Sequence, residues 1–331
     1  MILEIMVELK VYNSILKGDK KPGYILCKHI PVSFREDDAL EKLWLEHDQA
    51  LKDFKVEKEE VNPSLLDLKR EIAYRIYHKC SFCERKCKID RDVREGVCNV
   101  SKARVASEFL HMGEEEVFIP SYTIFFSGCT FNCVFCQNWD ISQYKTGIYI
   151  QPEILADMIE KRNEQGARNV NWVGGDPTPN IPYIIDVLIN CNSLIPQIWN
   201  SNMYCSIETM KLLHGIIDVY LTDFKYGNDK CSLRLSKIKN YLEIIKRNHI
   251  IAYKQTDILI RHLVMPNHVE CCSIPIIRWI ADNLPKAAVN IMGQYHPEYK
   301  AMEYDDIARY PKHSEIRRVT EEVKELNITI V

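Results

Sequence analysis

The run Phe125-Phe126-Ser127-Gly128-Cys129-Thr130-Phe131-Asn132-Cys133-Val134-Phe135-Cys136-Gln137-Asn138-Trp139-Asp140 sets three cysteines at x3 and x2 spacing directly after an apolar strand pattern at 123–126. Thiols this close in sequence can wrap one metal centre. Tetrahedral zinc wants a fourth ligand, and thiolate-held clusters usually take four cysteines. With no fourth cysteine nearby, Cys129, Cys133 and Cys136 suit a 4Fe-4S cluster with one iron left open, as a catalytic metal site requires. A buried thiol cluster or a small zinc knuckle is the competing reading.

Downstream, apolar β-branched runs at 123–126, 170–173, 197–199, 219–224, 258–264 and 289–292 alternate with helical patterns such as Ile154, Leu155, Met158, Ile159 and Ile184, Ile185, Leu188. Strand–helix alternation implies βαβ units and a parallel sheet. Six units without a seventh and eighth imply an α/β fold that is an open, partial (β/α)6 barrel. Polar or reactive residues follow every strand: Cys129; Gly174-Gly175-Asp176; Asn200-Ser201-Asn202; Asp223 and Lys225; Asn267-His268; Gln294-Tyr295-His296. In α/β barrels the active site lies at that end of the strands.

The C-x3-C-x2-C loop with aromatic Phe135 before its last cysteine resembles the signature of the radical S-adenosylmethionine superfamily, in which the aromatic packs beside adenine. The wider Cys136-Gln137-Asn138-Trp139-Asp140 context resembles the branch around pyruvate formate-lyase activating enzyme and its uncharacterised relatives. The resemblance implies S-adenosylmethionine bound at the open iron. Gly174-Gly175-Asp176-Pro177 is similar to the family's Gly-Gly-Glu turn for the methionyl amino group, with Asp in place of Glu. Asn200 and Asn202 fall where relatives contact ribose and carboxylate, or they form a helix-entry cap. Asp223 and Lys225 resemble the Asp-x-Lys strand of the activating enzymes, or make a structural salt bridge. Arg261-His262 with Pro266-Asn267 resembles that branch's Arg-bearing strand, and Tyr295-His296 would line the far rim.

The implied activity is that of an oxidoreductase: reductive cleavage to a 5′-deoxyadenosyl radical, with electrons from a flavodoxin or ferredoxin. The implied substrate is a glycyl residue of a partner protein. A radical enzyme acting on a small molecule or RNA, or a non-catalytic metal-binding interaction module, are the rivals.

Ahead of the barrel, Cys80, Cys83, Cys87 and Cys98 supply four thiolates within a short span, enough for zinc or an auxiliary iron–sulfur cluster. Basic neighbours (Lys79, Arg85, Lys86, Lys88, Arg91, Arg94) are expected to ease thiolate formation. Unmetallated cysteines are the alternative. Cys27, Cys191, Cys205, Cys231, Cys271 and Cys272 are scattered and read as small buried hydrophobes.

These elements divide the 331 residues into a mainly helical extension (1–78), the four-cysteine element and linker (79–119), the barrel (120–298) and a helical tail (299–331). Leu40, Leu43, Trp44, His47, Leu51 and Phe54 share one helical face, as do Leu65, Leu68, Ile72 and Ile76, with Asn62-Pro63 expected to cap the second helix. In the tail Ile316, Val319 and Val323 should pack against the sheet. The composition, 46% hydrophobic and 27% charged, is that of a globular chain. A net charge of −3 disfavours nucleic acid as the partner. No apolar run is long enough for a membrane span. The start, Met1-Ile2-Leu3-Glu4-Ile5-Met6-Val7-Glu8, carries acids where a secretion signal needs basic residues. With 13 cysteines, this places the chain in a reducing cytoplasm, where clustered thiols serve as metal ligands rather than disulfides.

Overall fold

The computed structural model describes residues 9–331, so the acidic stretch 1–8 lies outside the described residues. Seven strands form one sheet in chain order: β1 (Val105–His111), β2 (Ser121–Phe126), β3 (Asn169–Gly174), β4 (Gln197–Ser201), β5 (Val219–Asp223), β6 (Asp257–Leu263) and β7 (Ala288–Met292). β2 to β7 are all parallel, and they are the six strands expected from sequence. All of β4 is buried, and β2 and β3 are nearly so, the pattern of strands covered on both faces. Among the described residues β7 pairs with β6 and, through one bridge from Val289, with Ile330 of the tail, so the barrel stays open.

The N-terminal extension holds α1 (Lys10–Leu16), α2 (Gly23–Lys28), α3 (Leu40–Asp53) and α4 (Leu65–His78). Ser64, not Asn62-Pro63, caps α4: Asp67 N–H donates to Ser64 Oγ at 3.3 Å, and Ser64 N–H donates back to Asp67 Oδ2 at 2.8 Å. Ser64 wins because its hydroxyl reaches the third amide of the helix, whereas Pro63 lies one residue outside the cap. The crossovers carry α5 (Trp139–Ser142), α6 (Pro152–Glu164), α7 (Ile181–Asn190), α8 (Ile207–Leu213), α9 (Asp229–Ser236), α10 (Tyr241–Gln255) and α11 (Ile274–Asn283). α4 is fastened to α7 by Arg70 and Tyr74, both 2.6 Å from Asp186. α12 (His313–Glu325) sinks Val319 and Val323 fully into the core, as its periodicity requires. One apolar cluster runs through all four sequence segments.

β1 is an addition to the expected strands; it runs antiparallel to β2. The connection between them drops into the barrel. Phe118 packs there with Leu9, Tyr12, Ile198, Val219, Leu221, Leu259 and Ala288, a second core that fills the lower lumen. Above it, Glu114 and Glu115 reach the strands: Asn171 donates to Glu114 at 3.2 Å and Asn290 to Glu115 at 2.9 Å. The plug leaves the C-terminal end of the lumen free for chemistry.

Candidate active site

The chain leaves β2 through Ser127 and Gly128 straight into the three-cysteine loop. Each thiol has a local partner. Phe131 N–H donates to Cys129 Sγ at 3.3 Å, Ser236 Oγ–H donates to Cys133 Sγ at 3.0 Å, and Cys136 Sγ lies 3.2 Å from Ser142 Oγ. Among the described residues the three sulfurs are not all within 4.8 Å of one another. Two thiolates on one zinc stand about 3.8 Å apart, given a Zn–S length of about 2.3 Å. Burial pushes the Cys133 thiol up to about 12 and raises Cys129 and Cys136 as well.

β3 closes against this loop at Gly174 and Gly175. Gly174 has φ +130°, and a Cβ on Gly175 would stand 2.1 Å from the Gly128 carbonyl oxygen. Only glycine allows that approach. Asp176 behaves differently from its neighbours. It is 1% exposed and does not line the cavity. Its carboxylate accepts from Thr130 Oγ1 (2.7 Å), Ser201 Oγ (2.9 Å) and Thr178 Oγ1 (3.2 Å), tying the cysteine loop to β4. Burial raises its pKa, and the three hydroxyls work against that rise.

At the C-terminal ends of the parallel strands lies a cavity lined by Cys129, Cys133, Cys136, Phe135, Gly174, Gly175, Asn200, Asn202, Asp223, Lys225 and Arg261. Phe135 is fixed by the rings of Tyr295 and Tyr226, centroids 5.9 and 6.4 Å away. Asn202 Nδ2 donates to Thr130 Oγ1 at 2.9 Å. Lys225 Nζ sits 2.6 Å from Asp223 Oδ2, and Arg261 Nε 3.4 Å from Asp223 Oδ1. Arg261 also donates to Asn200 Oδ1 and pairs with Glu114 at 3.3 Å. Burial alone would raise Asp223, but Lys225 and Arg261 overcome it and hold the carboxyl below its usual range. Burial likewise opposes the charge on Lys225, and Asp223 more than restores it. All three groups are ionised at neutral pH.

The family model described as the Radical SAM superfamily matches residues 123–280, from β2 into α11, spanning the cysteine loop, the Gly-Gly turn and this charged triad. The chain belongs to the radical SAM superfamily.

This radical SAM chain is 45% identical over 339 positions to the uncharacterized protein MJ0674 of Methanocaldococcus jannaschii, covering 98% of this chain and 99% of that one. It is 23% identical over 251 positions to MJ0808 of the same organism, covering 67% and 72%. Among solved structures it is similar to SuiB of Streptococcus suis bound to S-adenosylmethionine, with TM-score 0.46, 15% identity, and coverage of 61% of this chain and 47% of SuiB. The chain thus spans less than half of SuiB's length. Methylornithine synthase (PylB) matches with TM-score 0.47, 14% identity, and coverage of 97% and 78%.

The second cysteine element of this radical SAM protein abuts the first. Cys80, Cys83 and Cys98 are buried and Cys87 partly so, and the Cys87 and Cys98 sulfurs flank Gly96. Among the described residues no three of these four sulfurs are mutually within 4.8 Å, wider than a single zinc ion draws its ligands. The basic flank does not lower Cys80, Cys83 or Cys98. Burial raises Cys80, Cys83 and Cys98, with Arg91 opposing it at Cys80 and Cys98.

The polar groups after β6 and β7 fall outside the cavity. Those strands end at Leu263 and Met292, which line it instead. Asn267 Nδ2 donates to Asp306 O at 2.8 Å, and the Tyr295 hydroxyl to Ile307 O at 2.7 Å. His262 is buried between Phe224 O and Ser273 Oγ. Gln137 and Asn138, inside the quoted motif, line the cavity without having been singled out. Glu114 carried no sequence signal, since its partner Arg261 is 147 positions away. Of the scattered cysteines, Cys27, Cys191, Cys205, Cys231 and Cys272 are buried as expected. Cys271 is exposed, and it gathers with Cys231, Cys272 and His268.

Proposed function

We propose that this protein binds S-adenosylmethionine on a 4Fe-4S cluster held by Cys129, Cys133 and Cys136, and uses it to abstract hydrogen from a substrate facing Asp223, Lys225 and Arg261. The observation that carries this is that the three cysteines of the loop line the same cavity as the Gly-Gly turn and the charged triad. When bound, the cluster supplies the electron that splits the cofactor to methionine and a 5′-deoxyadenosyl radical. The Gly174-Gly175 backbone and the Asn200 and Asn202 amides offer polar contacts to the methionyl and ribose parts. Phe135 offers an apolar face for adenine. Asp223 offsets one of the two cations Lys225 and Arg261, so the three groups present directional donors and acceptors with a net charge of one positive.

The substrate we infer is a glycyl residue of a partner enzyme, with a flavodoxin or ferredoxin as electron donor. Support comes from the likeness of the Cys136–Asp140 context to the activating enzymes and from an aromatic rim beside the cavity-lining Asn138. There Trp139 stacks on Tyr299 at 5.6 Å and meets Tyr144 at 5.8 Å, with Tyr144 55% exposed, a surface suited to a peptide segment. The four-cysteine element, with Cys80, Cys83 and Cys98 buried and Cys87 partly so, offers four thiols to zinc or to an auxiliary iron–sulfur cluster. A reducing cytoplasm suits thirteen free cysteines. No helix among the described residues is long and apolar enough to cross a membrane.

The test is anaerobic reconstitution with iron, sulfide and dithionite, followed by chromatography for 5′-deoxyadenosine. Formation of deoxyadenosine supports the reading, and its absence from iron-replete protein returns the chain to a metal-binding interaction module. A glycyl-radical signal by electron paramagnetic resonance in an added partner supports the protein substrate. Deoxyadenosine formation stimulated only by a small molecule or RNA contradicts it.

A further inference from the structure

Outside the cavity, Cys231 on α9 and His268, Cys271 and Cys272 in the connection after β6 converge so that four ligand atoms all lie within 4.8 Å of one another. Four of the six separations match the edges of a tetrahedron. Cys271, Cys231 and Cys272 Sγ stand 3.4, 3.5 and 3.8 Å from His268 Nδ1, and the Cys271 and Cys272 sulfurs are 3.8 Å apart. With Zn–S near 2.3 Å and Zn–N near 2.05 Å, a tetrahedral Cys3His site has edges of about 3.6 Å (S···N) and about 3.8 Å (S···S).

The histidine is already oriented. His268 Nε2 lies 2.9 Å from Asp306 Oδ2, so Nε2 carries the proton and Nδ1 turns its lone pair to the sulfurs. Such a carboxylate behind the imidazole is what a metal-bound histidine ordinarily has. Asn228 Nδ2 donates to Cys272 Sγ at 3.7 Å. Cys271 and Cys272 lie in a single π-helical turn, Val269–Ser273, the wider winding that accompanies functional sites in helices.

We propose that Cys231, His268, Cys271 and Cys272 bind one structural zinc ion. Four protein ligands close the shell, so the metal has no open position and takes no substrate. Binding releases the thiol protons to solvent and changes no oxidation state. Its effect is mechanical: it ties α9 to the β6–α11 connection and, through Asp306, to the C-terminal segment. α9 also delivers Ser236 to Cys133, so the zinc steadies one wall of the cysteine loop. In neither of the other cysteine groups do three sulfurs gather within 4.8 Å of one another among the described residues.

Metal content and zinc-edge X-ray absorption test it, using the full chain purified from zinc-replete medium. The expected result is one zinc per chain, with three sulfurs near 2.3 Å and one nitrogen near 2.0 Å. The double variant Cys231→Ser/Cys271→Ser should lose the zinc and keep its iron, and Cys80→Ser/Cys83→Ser should keep the zinc. Zinc-free wild-type protein, a four-sulfur shell, or zinc retained by the first variant would overturn the assignment. The wild-type spectrum decides by itself if that variant does not fold.

Discussion

The backbone N–H of Cys129 donates to the carbonyl oxygen of Cys98 at 3.2 Å. The first cysteine of the loop and the last cysteine of the four-cysteine element are thereby fixed in one hydrogen-bonded unit. The same closeness makes the local backbone intolerant of added bulk.

Gly175→Ala tests that intolerance. The new Cβ would meet the Gly128 carbonyl oxygen at 2.1 Å, and neither backbone can yield without moving the cysteine loop. The expected cost is more than about 3 kcal/mol, with failure to retain the loop's iron. Iron content and thermal unfolding check it, and an unchanged melting point together with full iron would contradict it.

Asp223→Asn leaves Lys225 and Arg261 as neighbouring buried cations without their shared anion. A loss of about 3 kcal/mol is expected, read as a fall in Tm on the order of 5 °C. Lys225→Met removes one cation and leaves Asp223 paired with Arg261, so its fall should be smaller. Calorimetry of the two variants side by side ranks them.

Ser236→Ala removes the hydroxyl that donates to Cys133 Sγ at 3.0 Å. Hydrogen bonds to ligand sulfur stabilise the reduced, more negative cluster. The loop cluster's midpoint potential should therefore become more negative, with iron content unchanged. A redox titration followed by paramagnetic resonance measures it.

Asp218 gives a pH dependence. Burial pushes its carboxyl up to about 7 against two backbone donors, Gly23 N–H and Gln197 N–H, each at 2.8 Å. The folded protein therefore holds this proton more tightly than the unfolded chain, whose aspartate titrates near 3.9. The group's contribution is fully present below about pH 4 and is lost as pH rises towards about 7. Denaturant unfolding across that window should show a wild-type slope that Asp218→Asn flattens, even though the variant loses a hydrogen bond and is less stable at low pH.

The sequence made legible what is local. Three cysteines within one loop, and β-branched runs buried on both faces, carry their meaning in consecutive residues, so the loop and the six parallel strands could be read directly. β1 could not. Its Ser107, Glu108 and His111 interrupt the apolar pattern of an edge strand that buries little of itself. The lumen plug could not either, because Glu114 meets Arg261 across 147 positions, and sequence spacing says nothing of such a pair. Cys231 and His268 lie 37 positions apart on different crossovers, which made the thiols look scattered. Asp176 was legible as a motif position but not as a buried tie, since its partners Thr130 and Ser201 come from the loop after β2 and the end of β4.

The central claim is that Cys129, Cys133 and Cys136 together hold the cluster that cleaves S-adenosylmethionine. The most direct measurement is 5′-deoxyadenosine formed by reconstituted, dithionite-reduced protein, compared between wild type and Cys133→Ala. The account predicts steady formation by the wild type and none above background by the variant. Equal rates from the two proteins would contradict it.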